Sequence, residues 1–155
     1  MSNISRGTRK LDAIDFREFI FEVIRHQQAI ADKLGVNLTD FKVLGLLHRR
    51  GEMTPKALTE ATGLSAAAMT TVIDRLEQAG YVERRRGGTD RRSFTVHAAK
   101  GSEVKVERLY KSLLLASQAL LPDYTKREAA LIADFFTKST EILRIATAKL
   151  SRHRS

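Results

Sequence analysis

The sequence contains no cysteine, which excludes disulfides, thiolate zinc sites and thiol-based redox switching. Long apolar runs are missing too. No stretch approaches the roughly 18 residues that would cross a bilayer, and the segment from Met1 to Lys10 is basic and polar, without the apolar centre of a secretory signal. A cytoplasmic protein with no membrane partner is therefore expected. Repeats and low-complexity tracts are absent. The histidines, His26, His48, His97 and His153, include no pair at metal-ligand spacing on a helix. No glycine-rich phosphate loop follows a strand, and serine, histidine and acid form no triad pattern. We expect no metal, no cofactor and no catalysis. His48, beside Arg49 and Arg50, reads as a surface cation, and His26 as a helix-surface or interface residue.

What is present points elsewhere. The chain has 155 residues, 43% of them hydrophobic, and a formal charge of +9. That is enough apolar material for a core, and a surface basic enough to attract a polyanion, of which nucleic acid is the commonest.

Hydrophobic periodicity supplies the architecture. Phe16, Phe19, Ile20, Val23, Ile24, Ile30 and Leu34 recur at helical spacing, and Gly35 follows as a helix stop. Thr39 is the expected N-cap of a second helix carrying Phe41, Leu44 and Leu47 and ending at Gly51. Thr54-Pro55 opens a short third helix that stops at Gly63. Ser65 caps a fourth, with Met69, Val72, Ile73 and Leu76 on one face, closed by Gly80. The period then changes: Tyr81-Val82-Glu83 and Phe94-Thr95-Val96 read as two short strands. Two further helices follow, separated by Pro122, the last from about Lys126 to Leu150. The expected fold is mainly α, a winged helix-turn-helix core with an α/β wing. It divides into an N-terminal dimerisation helix (1–37), a DNA-binding lobe (38–100) and C-terminal dimerisation helices (101–155).

Two constellations carry the functional reading. Leu58 to Ser65 joins a short helix to a longer one across a glycine-containing turn, the layout of a helix-turn-helix. The hairpin tip reads Arg84-Arg85-Arg86-Gly87-Gly88-Thr89-Asp90-Arg91-Arg92. There Gly87 and Gly88 give flexibility, Asp90 restrains an arginine, and the arginines suit phosphate forks and narrow minor grooves. Helix and hairpin together favour DNA, the helix in the major groove and the hairpin in the minor. With Met69, Val72, Ile73 and Leu76 facing inward, the outer face of the fourth helix shows Ala67, Thr70, Thr71, Asp74, Arg75 and Gln78. Small methyl-bearing readers suggest A/T-rich half-sites, with Ser65 and the threonine hydroxyls on phosphates or base edges and Arg75 on phosphate or a guanine. The outer helices carry more apolar surface than one small lobe can cover. Phe16, Phe19, Ile20, Leu131, Phe135, Ile142 and Leu143 are the expected isologous dimer surface, which implies a pseudo-palindromic operator. Two other readings stay open: a winged-helix module that binds a protein, and a non-specific nucleic-acid binder.

Several marks together resemble the winged-helix core of the MarR family of bacterial regulators, over Leu38 to Gly101. They are Leu38-Thr39, Leu64-Ser65, Asp74-Arg75-Leu76-Glu77 followed by Gly80-Tyr81-Val82, and above all Asp90-Arg91-Arg92 ahead of a strand and a glycine. The resemblance implies that the terminal helices form a dimer, that Arg92 enters the minor groove, and that Ser65 through Arg75, Ala66 and Ala67 included, face the major groove. It also implies a small aromatic or phenolic anion as effector, held between the dimer helices and the DNA-binding lobe. Two departures stand out. His97-Ala98-Ala99-Lys100-Gly101 replaces the family's usual Leu-Thr before the fifth helix, which leaves that helix without an evident cap. Ala66, Ala67 and Ala68 stand where many members carry an early arginine or lysine.

Overall fold

The computed structural model describes residues 13–86 and 94–152, with side-chain burial for 16–86 and 94–150. Six α-helices and a two-stranded antiparallel ribbon follow in the order α1 (Ala13–Leu34), α2 (Leu38–Arg50), α3 (Pro55–Thr62), α4 (Ala66–Gln78), β1 (Val82–Arg86), β2 (Phe94–Ala98), α5 (Ser102–Ala119) and α6 (Lys126–Arg152). A single 3₁₀ turn at Leu121–Asp123 separates the last two, where Pro122 cannot continue the α-helical ladder.

Local chemistry sets the boundaries. Gly35 has φ 70°, and the amide of Val36 donates to the Ala31 carbonyl at 3.0 Å, so a left-handed residue closes α1 and satisfies one of its last carbonyls. The cap of α2 differs from expectation. It is Asn37 rather than Thr39, and its Oδ1 accepts from the Asp40 amide at 2.8 Å. Thr39 sits inside the first turn, because an amide oxygen two residues earlier reaches the open N–H group first. Thr54 and Ser65 cap α3 and α4 by accepting from the amides of Ala57 (3.1 Å) and Ala68 (3.2 Å).

The main core gathers Leu44 and Leu47 of α2, Leu58 of α3, Met69, Ile73 and Leu76 of α4, and Val82 and Val96 of the ribbon. Each of these is essentially inaccessible to solvent. One strand-like contact escaped the sequence reading. Met53 exchanges both backbone hydrogen bonds with Val96, at 2.9 and 2.8 Å, and so ties the α2–α3 connection to the ribbon. A second cluster, Ile30, Ala31 and Phe41 with Leu109 and Tyr110, joins α1 and α5 to α2. Tyr81 links the two, its hydroxyl donating to the Leu34 carbonyl at 2.8 Å.

Candidate nucleic-acid interface

Burial divides α4 sharply. Met69, Val72, Ile73 and Leu76 are in the core, while Ala66, Ala67, Thr70, Thr71, Asp74 and Arg75 are exposed along the opposite face. Ser65 is exposed at the head of the helix, where first-turn amides without intrahelical partners suit an anion. The structure therefore gathers Ser65, Ala66, Ala67, Thr70 and Thr71 on one open face.

Arg75 is held differently from the free cation expected of it. Its Nε donates to Oδ2 of Asp40 at 2.8 Å and its Nη2 to Oδ1 at 2.6 Å. Asp40 is 2% exposed and the Arg75 side chain 45%. The Asp40 hydrogen bonds hold the guanidinium still further toward its charged form. Asp40 was missed in the sequence, although a signal for it exists. It stands three, four and seven residues before Val43, Leu44 and Leu47, and so on the buried face of α2. A carboxylate there needs a cation, and Arg75 is the one supplied.

The ribbon also departs from expectation. β1 runs on through Arg86, pairing Arg84 with Val96, Arg85 with Thr95 and Arg86 with Phe94. Arg84, Arg85 and Arg86 therefore belong to the strand and not to the hairpin tip. Strand alternation puts Arg84 on the same side as buried Val82. Its guanidinium turns back onto α4, donating to Asp74 and Glu77, and lies 5.3 Å from the centre of the Phe94 ring. Arg85 and Arg86 are exposed. On the other face His97 faces its cross-strand partner Glu83, Nε2 to Oε2 3.2 Å. The remaining wing expectations, Gly87, Gly88, Asp90, Arg91 and Arg92, lie outside the described residues.

The exposed helix face and the arginine-bearing ribbon beside it fit a winged helix-turn-helix, and comparison with known proteins decides which kind. The MarR family model matches residues 36–94. The HTH-type transcriptional regulator YcgE of Bacillus subtilis is 34% identical over 128 residues, 83% of each chain. The chain belongs to the MarR family. It is accordingly a DNA-binding transcriptional regulator. Solved structures share the fold. Wild-type MarR from E. coli in its apo form superposes with a TM-score of 0.60 at 22% identity, covering 82% of this chain and 95% of that one. A mutant MarR from E. coli complexed with operator DNA superposes at 0.55 and 23% identity, covering 81% and 91%.

Around this MarR-type lobe the structure also locates the histidines. His48 is half-buried and not a surface cation. Its Nε2 lies 2.9 Å from Oγ of the buried Ser102. Desolvation lowers its pKa from 6.5; Glu103 and Glu107 oppose that shift and Arg49 adds to it. The same contact explains the start of α5. Gly101 gives it no side-chain cap, and the Ser102 hydroxyl goes to α2 instead. His48 thus binds fewer protons folded than unfolded, so its contribution to stability is present above pH 6.5 and is lost as pH falls through the depressed folded value. A His48→Gln variant is expected to flatten the fall in urea midpoint between pH 7 and pH 5. An unchanged pH slope would remove His48 as its source.

Two adjoining clefts open between α1, α2 and α5. The larger, about 450 Å³, is walled by Phe41, Tyr110 and Val106 with Lys42, Arg49 and Glu107 at its edges. The smaller, about 330 Å³, is lined by Phe19, Val23, His26, Tyr110 and Leu113. His26 meets Tyr110 edge-on at 5.7 Å, and its buried Nε2 has no hydrogen-bond partner. Among the described residues no group of histidine and carboxylate side chains could hold a metal ion, and no helix is long and apolar enough to cross a membrane.

Proposed function

We propose that the protein is a homodimeric, sequence-specific repressor that occludes promoter DNA at a pseudo-palindromic operator, placing α4 in the major groove and the wing in the adjacent minor groove. The observation that carries this is the exposed face of α4, with Ser65, Ala66, Ala67, Thr70 and Thr71 clear of the core at the head of a well-capped helix. Arg85 and Arg86 are exposed on the ribbon beside it, leading into Arg91 and Arg92. The relative solved with operator DNA shares this fold. Arg84 is occupied within the subunit, so the wing's contact falls to the arginines beyond it. Dimerisation is supported by the apolar side chains that α1 and α6 leave exposed, including Phe19, Leu131, Phe135, Ile142 and Leu143, since soluble monomers rarely expose a patch of that kind. Phe16 and Ile20 are half-buried at its margin.

Binding to the protein's own upstream DNA against random competitor at two salt concentrations tests the reading. Equal affinity for both would reduce it to non-specific binding, and no duplex binding would leave a protein-interaction module. Within that experiment, replacing Arg91 and Arg92 by alanine removes up to two phosphate or groove contacts per subunit. Each lost phosphate contact lowers the slope of log affinity against log salt by about 0.9. We expect a slope reduced by roughly 2 to 4 in the dimer and an affinity about tenfold weaker on every sequence. An unchanged slope would count against the wing.

For the effector, the larger cleft suits a small aromatic anion, its ring against the wall that Phe41, Val106 and Tyr110 form and its charge toward Lys42 or Arg49. A ligand there touches α1, α2 and α5 together, so it can favour a dimer whose two α4 helices are wrongly spaced for the operator.

A further inference from the structure

We propose that α4 recognises its half-site through thymine methyl groups and excludes guanine, because the outward face of its first two turns, from Ala66 to Thr71, offers methyls and acceptor oxygens but no free side-chain donor. This rests on the DNA-binding reading above and names the base chemistry that α4 can discriminate.

Thr70 Oγ1 lies 3.0 Å from the carbonyl oxygen of Ala66, and Thr71 Oγ1 lies 3.2 Å from that of Ala67. A carbonyl oxygen cannot donate, so each threonine spends its single hydroxyl proton on the helix backbone and presents outward only its methyl and oxygen lone pairs. Ala66 and Ala67 add methyls alone. Asp74 offers acceptors, and its carboxylate is engaged by Arg84. The long cation on this face, Arg75, is forked onto Asp40 against the α1–α2 connection, beside Gly35 and Asn37. Ser65 keeps its hydroxyl proton, since its Oγ accepts from the Ala68 amide. It stands at the helix start among open amides, a place for phosphate more than for a base. Gln78, the other exposed donor, is in the last turn, whereas base edges are met by the N-terminal turns of a recognition helix.

In the major groove guanine presents only the acceptors N7 and O6. Thymine presents a methyl beside O4, adenine an amino donor beside N7, and cytosine an amino donor without a methyl. A face of methyls and lone pairs has nothing to give guanine and sets acceptor against acceptor. It complements an A·T pair on both bases, by methyl contact with thymine and by a threonine oxygen accepting from the adenine amino group.

The full-length protein is used to select half-sites from a random duplex pool, and dissociation constants are then measured on modified versions of the selected duplex. Replacing thymine by uracil removes only the major-groove methyl, and replacing guanine by 7-deazaguanine removes only the major-groove N7, so neither change disturbs a minor-groove wing contact. At two or three positions per half-site uracil should weaken binding about fourfold for each buried methyl lost. 7-Deazaguanine should leave affinity unchanged throughout. Thr70→Ser or Thr71→Ser, which keeps the hydroxyl and removes the methyl, should abolish the thymine–uracil difference at one position, while valine at the same site should retain it. Uracil tolerated at every position, or a loss with 7-deazaguanine, overturns the inference while leaving specific DNA binding intact. A pool that yields no preferred sequence overturns both.

Discussion

Arg75→Ala is expected to destabilise the folded subunit by about 3 kcal/mol, a large share of what holds a domain of this size together. The reason lies in Asp40. Its side chain is 2% exposed, and among the described residues both its carboxylate oxygens accept hydrogen bonds from Arg75 alone. Removing the guanidinium strands a buried charge, whose penalty typically runs to about 3–5 kcal/mol. The Arg75 side chain is 45% exposed, so water can enter where it stood, which places the cost at the lower end of that range. Replacing both partners by apolar residues of similar size, Asp40→Leu with Arg75→Met, should recover most of the loss, since neither charge is then left unpaired. Urea denaturation of the single and double variants measures this directly. Additive losses, or a cost below about 1 kcal/mol for Arg75→Ala, would show that the fork holds little. The same pair separates two roles for Arg75. If the apolar double variant binds operator normally, Arg75 only positions α4 on α2. If it folds but binds weakly, the remaining N–H groups of Arg75 reach DNA.

Why this fork was illegible in the sequence while α4 itself was plain is a matter of range. The start of α4 depends on Ser65 and its end on Gly80, with the inward face set by Met69, Val72, Ile73 and Leu76, all within one short window. Helical period and capping are local physics and can be read without knowing the fold. Asp40 and Arg75 are 35 residues apart, and nothing in either neighbourhood says that they meet. The wing failed at its boundary for a related reason. Three consecutive arginines look like a loop by composition, yet pairing with Phe94, Thr95 and Val96 extends the strand through them. Asp74 and Glu77, one turn apart at the end of the preceding helix, neutralise the arginine that faces inward. His48 was misjudged by its neighbours in sequence. Beside Arg49 and Arg50 it reads as one more surface cation, but it lies one turn after the buried Leu44 and faces Ser102 from α5. Composition describes the strand of chain a residue belongs to, and burial depends on what packs over it from elsewhere.

Introducing carboxylates on α6, Leu131→Glu with Ile142→Glu, should convert the proposed dimer to a monomer and reduce operator affinity by about a hundredfold or more. The two positions are 61% and 65% exposed in the isolated subunit, and with Phe135 between them they follow helical spacing along one face of α6. Charges placed there cost the single subunit little, because they remain hydrated. In a twofold interface each would face apolar surface of the partner without a counter-ion, and that desolvation opposes association. The DNA consequence follows from linkage. Once one lobe of a dimer is on its half-site, the second is held at an effective concentration near millimolar, and a monomer loses that advantage entirely. Sedimentation velocity should show the halved mass and circular dichroism an unchanged helix content, so loss of binding could not be assigned to unfolding. A single half-site duplex supplies the internal control, since the variant and the parent should bind it equally. A variant that stayed dimeric would move the interface away from this face of α6, and a monomer that kept full operator affinity would mean that one lobe suffices for recognition.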